Sequence, residues 1–240
     1  MHPAAVENIL SSQATALFSL NDIRFTHPGK KKTLFSGVNL TLHGDERIGI
    51  LGCNGSGKST LLHIGAGLLT PESGMVRFRE RECCTEKDFA EARKHLGYLL
   101  QHAEDQLFCS TVLEDVAFGP YNLGFSAAES ERMATAALKD LGLFHLADRN
   151  GQRLSGGEQK LAALATILVM DVDMLFLDEP TNDLDDEARD LLLGVLERFR
   201  LPALVVSHDL PFLQKICTRF CLLEGGTLSD VPDPGGETLP

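Results

Sequence analysis

The residues best suited to chemistry form a glycine-rich run that follows an apolar stretch, residues 47–51, and precedes a helix-like segment. The run and its next neighbour are Gly52, Cys53, Asn54, Gly55, Ser56, Gly57, Lys58, Ser59 and Thr60. Glycines let the backbone curl so that its N–H groups surround an anion. Lys58 can bring positive charge to the outer phosphates, and the Ser59 hydroxyl can bind Mg²⁺. The order of strand, loop and helix predicts a site for a nucleoside triphosphate.

A second group of reactive residues follows an apolar segment, residues 172–177, that reads as a buried strand. Asp178 and Glu179 stand at its carboxyl end, where the ligands of parallel α/β sheets gather. Asp178 can hold Mg²⁺ through its water shell, and Glu179 can polarise the water that attacks the γ-phosphate. Together with Lys58, these carboxylates predict hydrolysis of the bound triphosphate.

A third group lies between the other two, just before the apolar helical run of residues 161–170. Its members are Ser155, Gly156, Gly157 and Glu158. Ser155 is placed as a helix cap, and the two glycines leave the amides at the helix start uncovered for an anion. A helix cap without a ligand is the alternative. The position just upstream of the Asp178 strand favours the anion site.

The overall composition limits the class of partner. Among 240 residues, 34 are acidic and 22 are basic, which gives a formal net charge of −12. Surfaces that bind nucleic acid are basic, so this balance argues against a nucleic-acid partner. The longest apolar stretch, residues 161–170, is shorter than the roughly 18 residues of a spanning helix. Residues 1–16 lack a secretory signal, so we expect a soluble protein that is not exported.

The cysteines do not suggest a disulfide framework. There are six of them, without a Cys-x-x-Cys pair, in a long chain. We expect reduced and mostly buried thiols. Cys217 and Cys221 have the spacing of one helical turn, and a metal site that includes them stays open as an alternative.

From about residue 17 to residue 229 the chain resembles the ATP-binding-cassette (ABC) ATPases, through the three groups of residues described above. The resemblance implies that the chain binds ATP and Mg²⁺. It also implies that residues 154–158, the signature segment of the family, bind the γ-phosphate of ATP held by the phosphate loop of a second subunit. We therefore expect a homodimer in which neither copy completes its own site.

Further roles come from the same resemblance. Gln101 ends a strand-like segment and would sense Mg²⁺ and the membrane partner. His208 also follows an apolar strand and would contact the γ-phosphate and help to fix the attacking water. Asp185 would organise the seam of the dimer. The predicted catalytic residues are therefore Glu179, His208, Lys58 and Gln101, and the predicted Mg²⁺ ligands are Ser59, Gln101 and Asp178.

Two positions depart from the family pattern. The family usually has an aromatic residue about 25 positions before the phosphate loop to stack on adenine, and here His27 stands there with Phe25 nearby. Either ring could stack on the base. After the signature the chain reads Lys160-Leu161-Ala162-Ala163, where the family more often continues with Gln-Arg-Val. We expect this difference to weaken subunit closure without touching a reacting atom.

The segments after Gln101 indicate a subfamily. Residues 103–108, 111–120 and 122–124 resemble the energy-coupling-factor group, most closely its cobalt and nickel importer ATPases. Phe108 and Phe118 in these segments could also be core aromatics. The resemblance implies a place on the cytoplasmic face of the cell membrane, an integral membrane coupling subunit facing this region, and a small membrane component that captures the substrate. A vitamin importer of the same group, for example for biotin, and a non-transport ABC ATPase are the alternatives.

The pattern of elements predicts an α/β fold with an inserted helical subdomain. The resemblance implies a P-loop NTPase (RecA-like) core with an antiparallel β subdomain, and it makes the insertion the α-helical signature subdomain. Predicted strands cover residues 20–25, 34–42, 47–51, 75–79, 96–100, 174–177, 204–207 and 220–224. Predicted helices follow residue 58, cover 85–95 and 161–170, lie within 111–146 and begin near 183. We expect one domain over residues 17–229, with 17–101 and 166–229 as the catalytic core and 102–165 as the helical subdomain. Residues 1–16 and 230–240 are predicted to be flexible termini.

Overall fold

A computed structural model describes residues 16–235 of the chain, and the rest of the predicted flexible termini, residues 1–15 and 236–240, lies outside this range. The strands in the described part are β1 (Ala16–Phe25), β2 (Phe35–His43), β3 (Arg47–Leu51), β4 (Ser73–Phe78), β5 (Arg81–Cys83), β6 (Leu96–Leu99), β7 (Met174–Asp178), β8 (Ala203–Val206), β9 (Arg219–Glu224) and β10 (Thr227–Val231). The helices there are α1 (Lys58–Gly65), α2 (Glu86–Arg93), α3 (Val112–Asn122), α4 (Ala127–Asp140), α5 (Gly156–Leu168), α6 (Asp186–Phe199) and α7 (Leu210–Ile216).

The larger sheet brings the predicted reactive residues to one edge. Its six strands run in the order β10-β9-β3-β8-β7-β6, and all neighbours pair in parallel except β10 with β9. Strands β3, β7 and β8 are buried along their whole length, as in a sheet covered on both faces. Because the carboxyl ends of parallel strands share an edge, the phosphate loop, Asp178 and His208 meet there.

Two apolar cores cover the two faces of this sheet. Leu175 and Leu177 of β7 point into the core shared with α3, α4 and α5. The alternate residue Phe176 points into the other core, with the antiparallel sheet β2-β1-β4-β5 and α1. Its ring meets Phe18 edge to face at 5.2 Å, and a Cβ on Gly65 would lie 2.9 Å from Phe18 Cζ. The predicted fold class is therefore confirmed.

Helix α5 packs between the larger sheet and the helices α3 and α4. This helix is buried along most of its length. A Cβ on Gly97 of β6 would lie only 2.1 Å from Ile167 Cγ2, so the small residue allows the helix to pack close to the strand. Helix α5 continues without a break to Leu168, and the predicted boundary between residues 165 and 166 therefore falls inside it. The division into a core and a helical subdomain stays a prediction.

Strand β10 crosses the C-terminal boundary predicted at residue 229. Strand β10 pairs Asp230 with Cys221 and Val231 with Phe220, so the regular structure continues two residues past the predicted boundary. Arg219 Nε also donates to Asp230 Oδ1 at 2.8 Å. The hairpin forms because Gly225 and Gly226 both adopt positive φ between the strands.

Two smaller expectations also need correction. The strand predicted over residues 75–79 begins two residues earlier and ends one residue earlier, as β4 (Ser73–Phe78). The suggested helical spacing of Cys217 and Cys221 does not occur, because Cys217 ends α7 while Cys221 lies in β9 and donates to Asp230 Oδ1. Within residues 16–235, no group of three or more His, Cys, Asp or Glu side chains is arranged to hold a metal ion.

Candidate active site

The loop between β3 and α1 has the backbone geometry of a phosphate site. Gly52 has φ +149°, and a Cβ there would lie 2.6 Å from the Leu223 oxygen. Gly57 has φ +105°, and a Cβ there would lie 2.9 Å from the side chains of Leu34 and Phe35. Gly57 also caps α1 without a side-chain hydrogen bond, so no side chain covers the amides at the helix start. This cradle fits a phosphate group.

Lys58 lies back across this loop. Its Nζ donates to the oxygen of Gly52 at 2.7 Å and to that of Cys53 at 3.3 Å. Burial lowers the pKa of Lys58, whereas the nearby carboxylates of Glu179 and Asp178 raise it. Cys53, Asn54, Gly55 and Ser56 also line a cavity of about 210 Å³ together with residues 222–225. The ammonium is therefore held at the loop where the outer phosphates would bind.

The predicted Mg²⁺ ligands meet only in part. Ser59 Oγ donates to Asp178 Oδ1 at 3.0 Å, across a separation of 119 residues. Burial raises the pKa of Asp178, and the Ser59 hydrogen bond lowers it. Hydroxyl and carboxylate oxygens are a donor set that fits Mg²⁺. The Gln101 side chain is exposed, and in the described part of the chain it makes no hydrogen bond to Ser59 or Asp178.

Glu179 and His208 form a close pair. His208 Nε2 lies 3.2 Å from Glu179 Oε1, and the His208 amide donates to Glu179 Oε2 at 3.2 Å. Glu179 is 5% exposed, and its burial raises the pKa of the carboxyl, while His208 lowers it. Its φ of +47° is unusual for a residue with a side chain. A buried carboxylate with a raised pKa accepts a proton more readily than an ordinary one, so Glu179 is suited to act as a base.

Of the two rings predicted near the base, His27 is the accessible one. His27 Nε2 lies 3.5 Å from Thr60 Oγ1, at the end of the phosphate loop. Phe25 is 4% exposed and packs its ring against His27 at 5.0 Å, edge to face. Phe25 belongs to the core and supports the imidazole. The geometry therefore favours His27 as the residue that stacks on the base.

We expect His27→Ala to raise the KM for ATP about 2- to 12-fold, because one aromatic contact contributes roughly 0.5–1.5 kcal/mol. His27→Tyr should keep KM near the wild-type value, since it keeps a ring in the same place. Steady-state ATPase assays of both variants measure this. An unchanged KM in His27→Ala would contradict the assignment.

The signature segment is organised by its own side chains. Ser155 Oγ accepts from the Glu158 amide at 3.3 Å, and the Ser155 amide donates to Glu158 Oε2 at 2.9 Å. A Cβ on Gly157 would lie 2.7 Å from Ala188 Cβ of α6. Ser155 and Gly156 are exposed, and none of the hydrogen bonds found for residues 155–158 within the described chain reaches the phosphate loop. Their predicted binding of phosphate stays a prediction for another subunit.

Asp185 has a local structural role. Its Oδ1 accepts from the Ala188 amide at 2.8 Å, so it caps α6. This agrees with the prediction that a helix begins in the charged run near residue 183. The further role in a dimer seam stays a prediction.

Sequence reasoning missed two residues that hold the loop after β6. Gln106 donates from Nε2 to the Tyr98 oxygen at 3.0 Å and accepts at Oε1 from the Leu100 amide at 2.8 Å. Lys160 donates from Nζ to the oxygen of Gln101 at 2.6 Å. The signal for Lys160 in the sequence is its departure from the family pattern, directly before the apolar helical run of residues 161–170.

The aromatic residues of the subfamily segments do not belong to the core. Phe108 is 61% exposed and Phe118 is 43% exposed. Their rings meet edge to face at 4.9 Å, which joins the segment after Gln101 to α3. Tyr121, Leu123 and Phe125 are exposed nearby in sequence. The alternative of two core aromatics is therefore wrong.

Comparison with known proteins identifies the family. The model of the ABC transporter family matches residues 35–182. A protein of Nitratidesulfovibrio vulgaris, provisionally named as an ABC transporter ATP-binding protein, is 50% identical over 88% of this chain and 77% of its own length. A provisionally named ABC transporter ATP-binding protein of Brucella suis is 41% identical over 88% of this chain and 87% of its own length.

Two solved structures are similar as well. The first is cbiO1 from Clostridium perfringens, part of the ABC transporter complex cbiONQ, with 28% identity, a TM-score of 0.79, and coverage of 92% of this chain and 90% of that one. The second is the ATP-binding cassette MJ0796, a dimer in a post-hydrolysis state with ADP and Pi, with 25% identity, a TM-score of 0.78, and coverage of 90% and 99%.

The chain belongs to the ABC transporter family, as the ATP-binding subunit that hydrolyses ATP. It contributes the ATPase of a transporter. Among the described residues, no helix has the length and apolar character needed to cross a membrane.

Proposed function

We propose that two copies of this chain bind two ATP molecules between them and power a membrane importer of the energy-coupling-factor type, for cobalt or nickel ions. Each ATP would lie between the phosphate loop of one copy and Ser155, Gly156, Gly157 and Glu158 of the other. The observation that carries the hydrolytic part is the meeting of the phosphate loop with the carboxylate strand, through Ser59 and Asp178 at 3.0 Å.

The residues of the site divide the work of phosphoryl transfer. The loop amides from Gly52 to Thr60 hold the phosphates, and Lys58 neutralises their charge. Ser59 and Asp178 would hold Mg²⁺, which supplies charge stabilisation at the transferring phosphate when it is bound. Glu179 orients the attacking water and accepts its proton. His208, which contacts both oxygens of Glu179, holds the carboxylate in place and would reach the γ-phosphate.

The proposal of a dimer is supported from two sides. Ser155 and Gly156 are exposed, and the hydrogen bonds found for Ser155 and Glu158 in the described chain stay within the signature segment. The similar cassette MJ0796 was solved as a dimer. A second copy would bring the signature amides to the phosphates, where they would stabilise the charge of the transition state.

The proposal of an importer rests on the resemblance to the energy-coupling-factor group and on the similarity to cbiO1 of the cbiONQ complex. The exposed aromatics Phe108 and Phe118 lie just after Gln101 and suit contact with a membrane subunit. The chain would sit as a peripheral protein on the cytoplasmic face of the cell membrane. Its partners would be an integral coupling subunit and a small membrane component that captures the substrate.

An uptake measurement tests the importer. The gene for this chain is deleted in the organism that encodes it, and the deletion cells then receive either the wild type or Glu179→Gln. The uptake of radioactive cobalt ions, radioactive nickel ions and labelled biotin is measured in each strain. We expect the wild type alone to restore metal uptake, while biotin uptake is the same in all cells. Equal membrane levels of the two proteins, measured by immunoblot, are the control.

Other outcomes of this measurement reject the metal importer. Restoration of biotin uptake without metal uptake would favour the vitamin importer, in which the same ATPase serves another capture component. No change in any uptake would contradict both and favour a non-transport ABC ATPase. The acidic balance of the chain argues against a role of that kind on nucleic acid.

A further inference from the structure

One buried ammonium group connects three motifs of the site. Lys160 lies one helical turn after Gly156 on α5 and is 3% exposed. Its Nζ donates to the backbone oxygen atoms of Gln101 at 2.6 Å, Leu100 at 3.3 Å and Glu179 at 3.5 Å. An ammonium has three donor hydrogens and no acceptor, so the three carbonyl oxygens match its capacity.

The charge of Lys160 is compensated from several directions. Burial lowers the pKa of Lys160, and the surrounding carboxylates raise it. These are Asp183, Glu104, Asp178 and Glu179, in order of their effect. A buried cation that loses its partners is strongly unfavourable. When either the ammonium or its acceptor oxygens are displaced, the other side is therefore expected to move with them.

The loop that carries Gln101 is held from two sides. Gln106 binds the amide of Leu100 and the oxygen of Tyr98. Lys160 binds the oxygens of Leu100 and Gln101. The backbone on which Gln101 stands is therefore set jointly by a residue of its own loop and by a residue of α5, 59 positions away.

Glu179 depends on similar support. A left-handed backbone is unfavourable at a residue with a side chain, and it persists only where neighbours hold it. The Glu179 amide donates to the Val206 oxygen at 2.8 Å. The Glu179 oxygen accepts from the Asn182 amide at 3.2 Å and from Lys160 Nζ at 3.5 Å. Lys160 is thus the contact that joins this strained residue to α5.

We infer that Lys160 is a positioning residue, which passes a displacement of the signature segment to Gln101 and Glu179. One turn of helix is rigid, so a shift of Gly156 moves Lys160 with it and changes its contacts with both backbone oxygens. Lys160 touches no reacting atom, but it holds the backbone that carries Gln101 and Glu179. Its loss therefore lowers kcat without weakening ATP binding. The inference rests on the proposed roles of Gln101 and Glu179.

The test compares two buried cations of this chain. Lys160→Met keeps an unbranched side chain of similar length and removes the donors. Arg47→Met is the matched control, because Arg47 is also buried and donates to the oxygens of Leu201 and Leu196 at the opposite end of β3. Steady-state kcat, KM for ATP and thermal melting are measured for both variants, with Glu179→Gln as the reference.

We expect Lys160→Met to lower kcat about 10- to 100-fold, because a displacement of about 1 Å can cost 10²-fold. KM should stay within about twofold of the wild type. Arg47→Met should melt at a lower temperature but keep its kcat. If Lys160→Met does not fold, Lys160→Gln, which keeps an amide donor, is measured instead, and a lowered kcat with unchanged KM is expected again.

Two results would overturn the inference. One is a wild-type kcat in the folded Lys160 variant. The other is a loss of kcat in Arg47→Met that is as large, for the same drop in melting temperature, as the loss in the Lys160 variant. If Glu179→Gln is inactive while the Lys160 variant is normal, the positioning role alone fails. If Glu179→Gln itself turns over normally, the proposed role of Glu179 fails first.

Discussion

Glu179→Gln should bind ATP with near wild-type affinity and lose hydrolysis by about 10²- to 10⁴-fold, the usual contribution of a general base. The amide keeps the shape of the carboxylate and an oxygen that can accept from the His208 amide. It cannot accept the proton of the attacking water. Binding of a fluorescent ATP analogue, followed by a phosphate-release assay on the same preparation, measures both parts.

Glu131→Gln is the matched control for this prediction, because Glu131 lies on the exposed side of α4. Its activity should equal that of the wild type. If Glu179→Gln turns over ATP about as fast as Glu131→Gln does, Glu179 is not the base. A loss of ATP binding in Glu179→Gln would instead make the residue part of the binding site.

Lys58→Met should weaken ATP binding roughly 30-fold or more, since removing one member of a buried charge pair costs about 2–5 kcal/mol. The ammonium now rests on the oxygens of Gly52 and Cys53, so the loop already orients it toward the phosphates. Methionine has a similar stem, and the fold should persist. Isothermal titration with ATP measures the change in Kd.

Lys87→Met, at an exposed position of α2, is the control and should bind ATP as the wild type does. Melting curves without nucleotide separate folding from binding. Equal Kd values for Lys58→Met and Lys87→Met would show that the ammonium does not contact the phosphates.

The sequence could predict the strand ends that carry the site because each has a strong local pattern. Strand β3 occupies the predicted residues 47–51, and β7 extends only to Asp178 beyond its predicted end. Both are continuous apolar runs followed by polar residues, which is typical of covered parallel strands. Strands β5 and β10 are short and largely exposed, so they lack the periodicity that would reveal them.

Contacts between distant segments could not be read in the same way. The sequence indicated Glu179 and His208 separately, but their double contact depends on the left-handed backbone of Glu179. In the sequence Lys160 is only a departure from the family pattern, whereas in the structure its ammonium donates to backbone oxygens of two other motifs. Gln101 illustrates the opposite case, because its side chain is exposed and, among the described residues, makes no hydrogen bond to Ser59 or Asp178.

The central claim is that each ATP site is completed by a second copy of the chain. The most direct test is the molar mass of Glu179→Gln with and without ATP, by size-exclusion chromatography with light scattering. We predict a dimer that forms only with ATP and is lost on adding Gly156→Asp, which brings negative charge to the signature while the phosphate loop still binds ATP. A species that stays monomeric while saturated with ATP, or a dimer that Gly156→Asp leaves intact, would contradict the account.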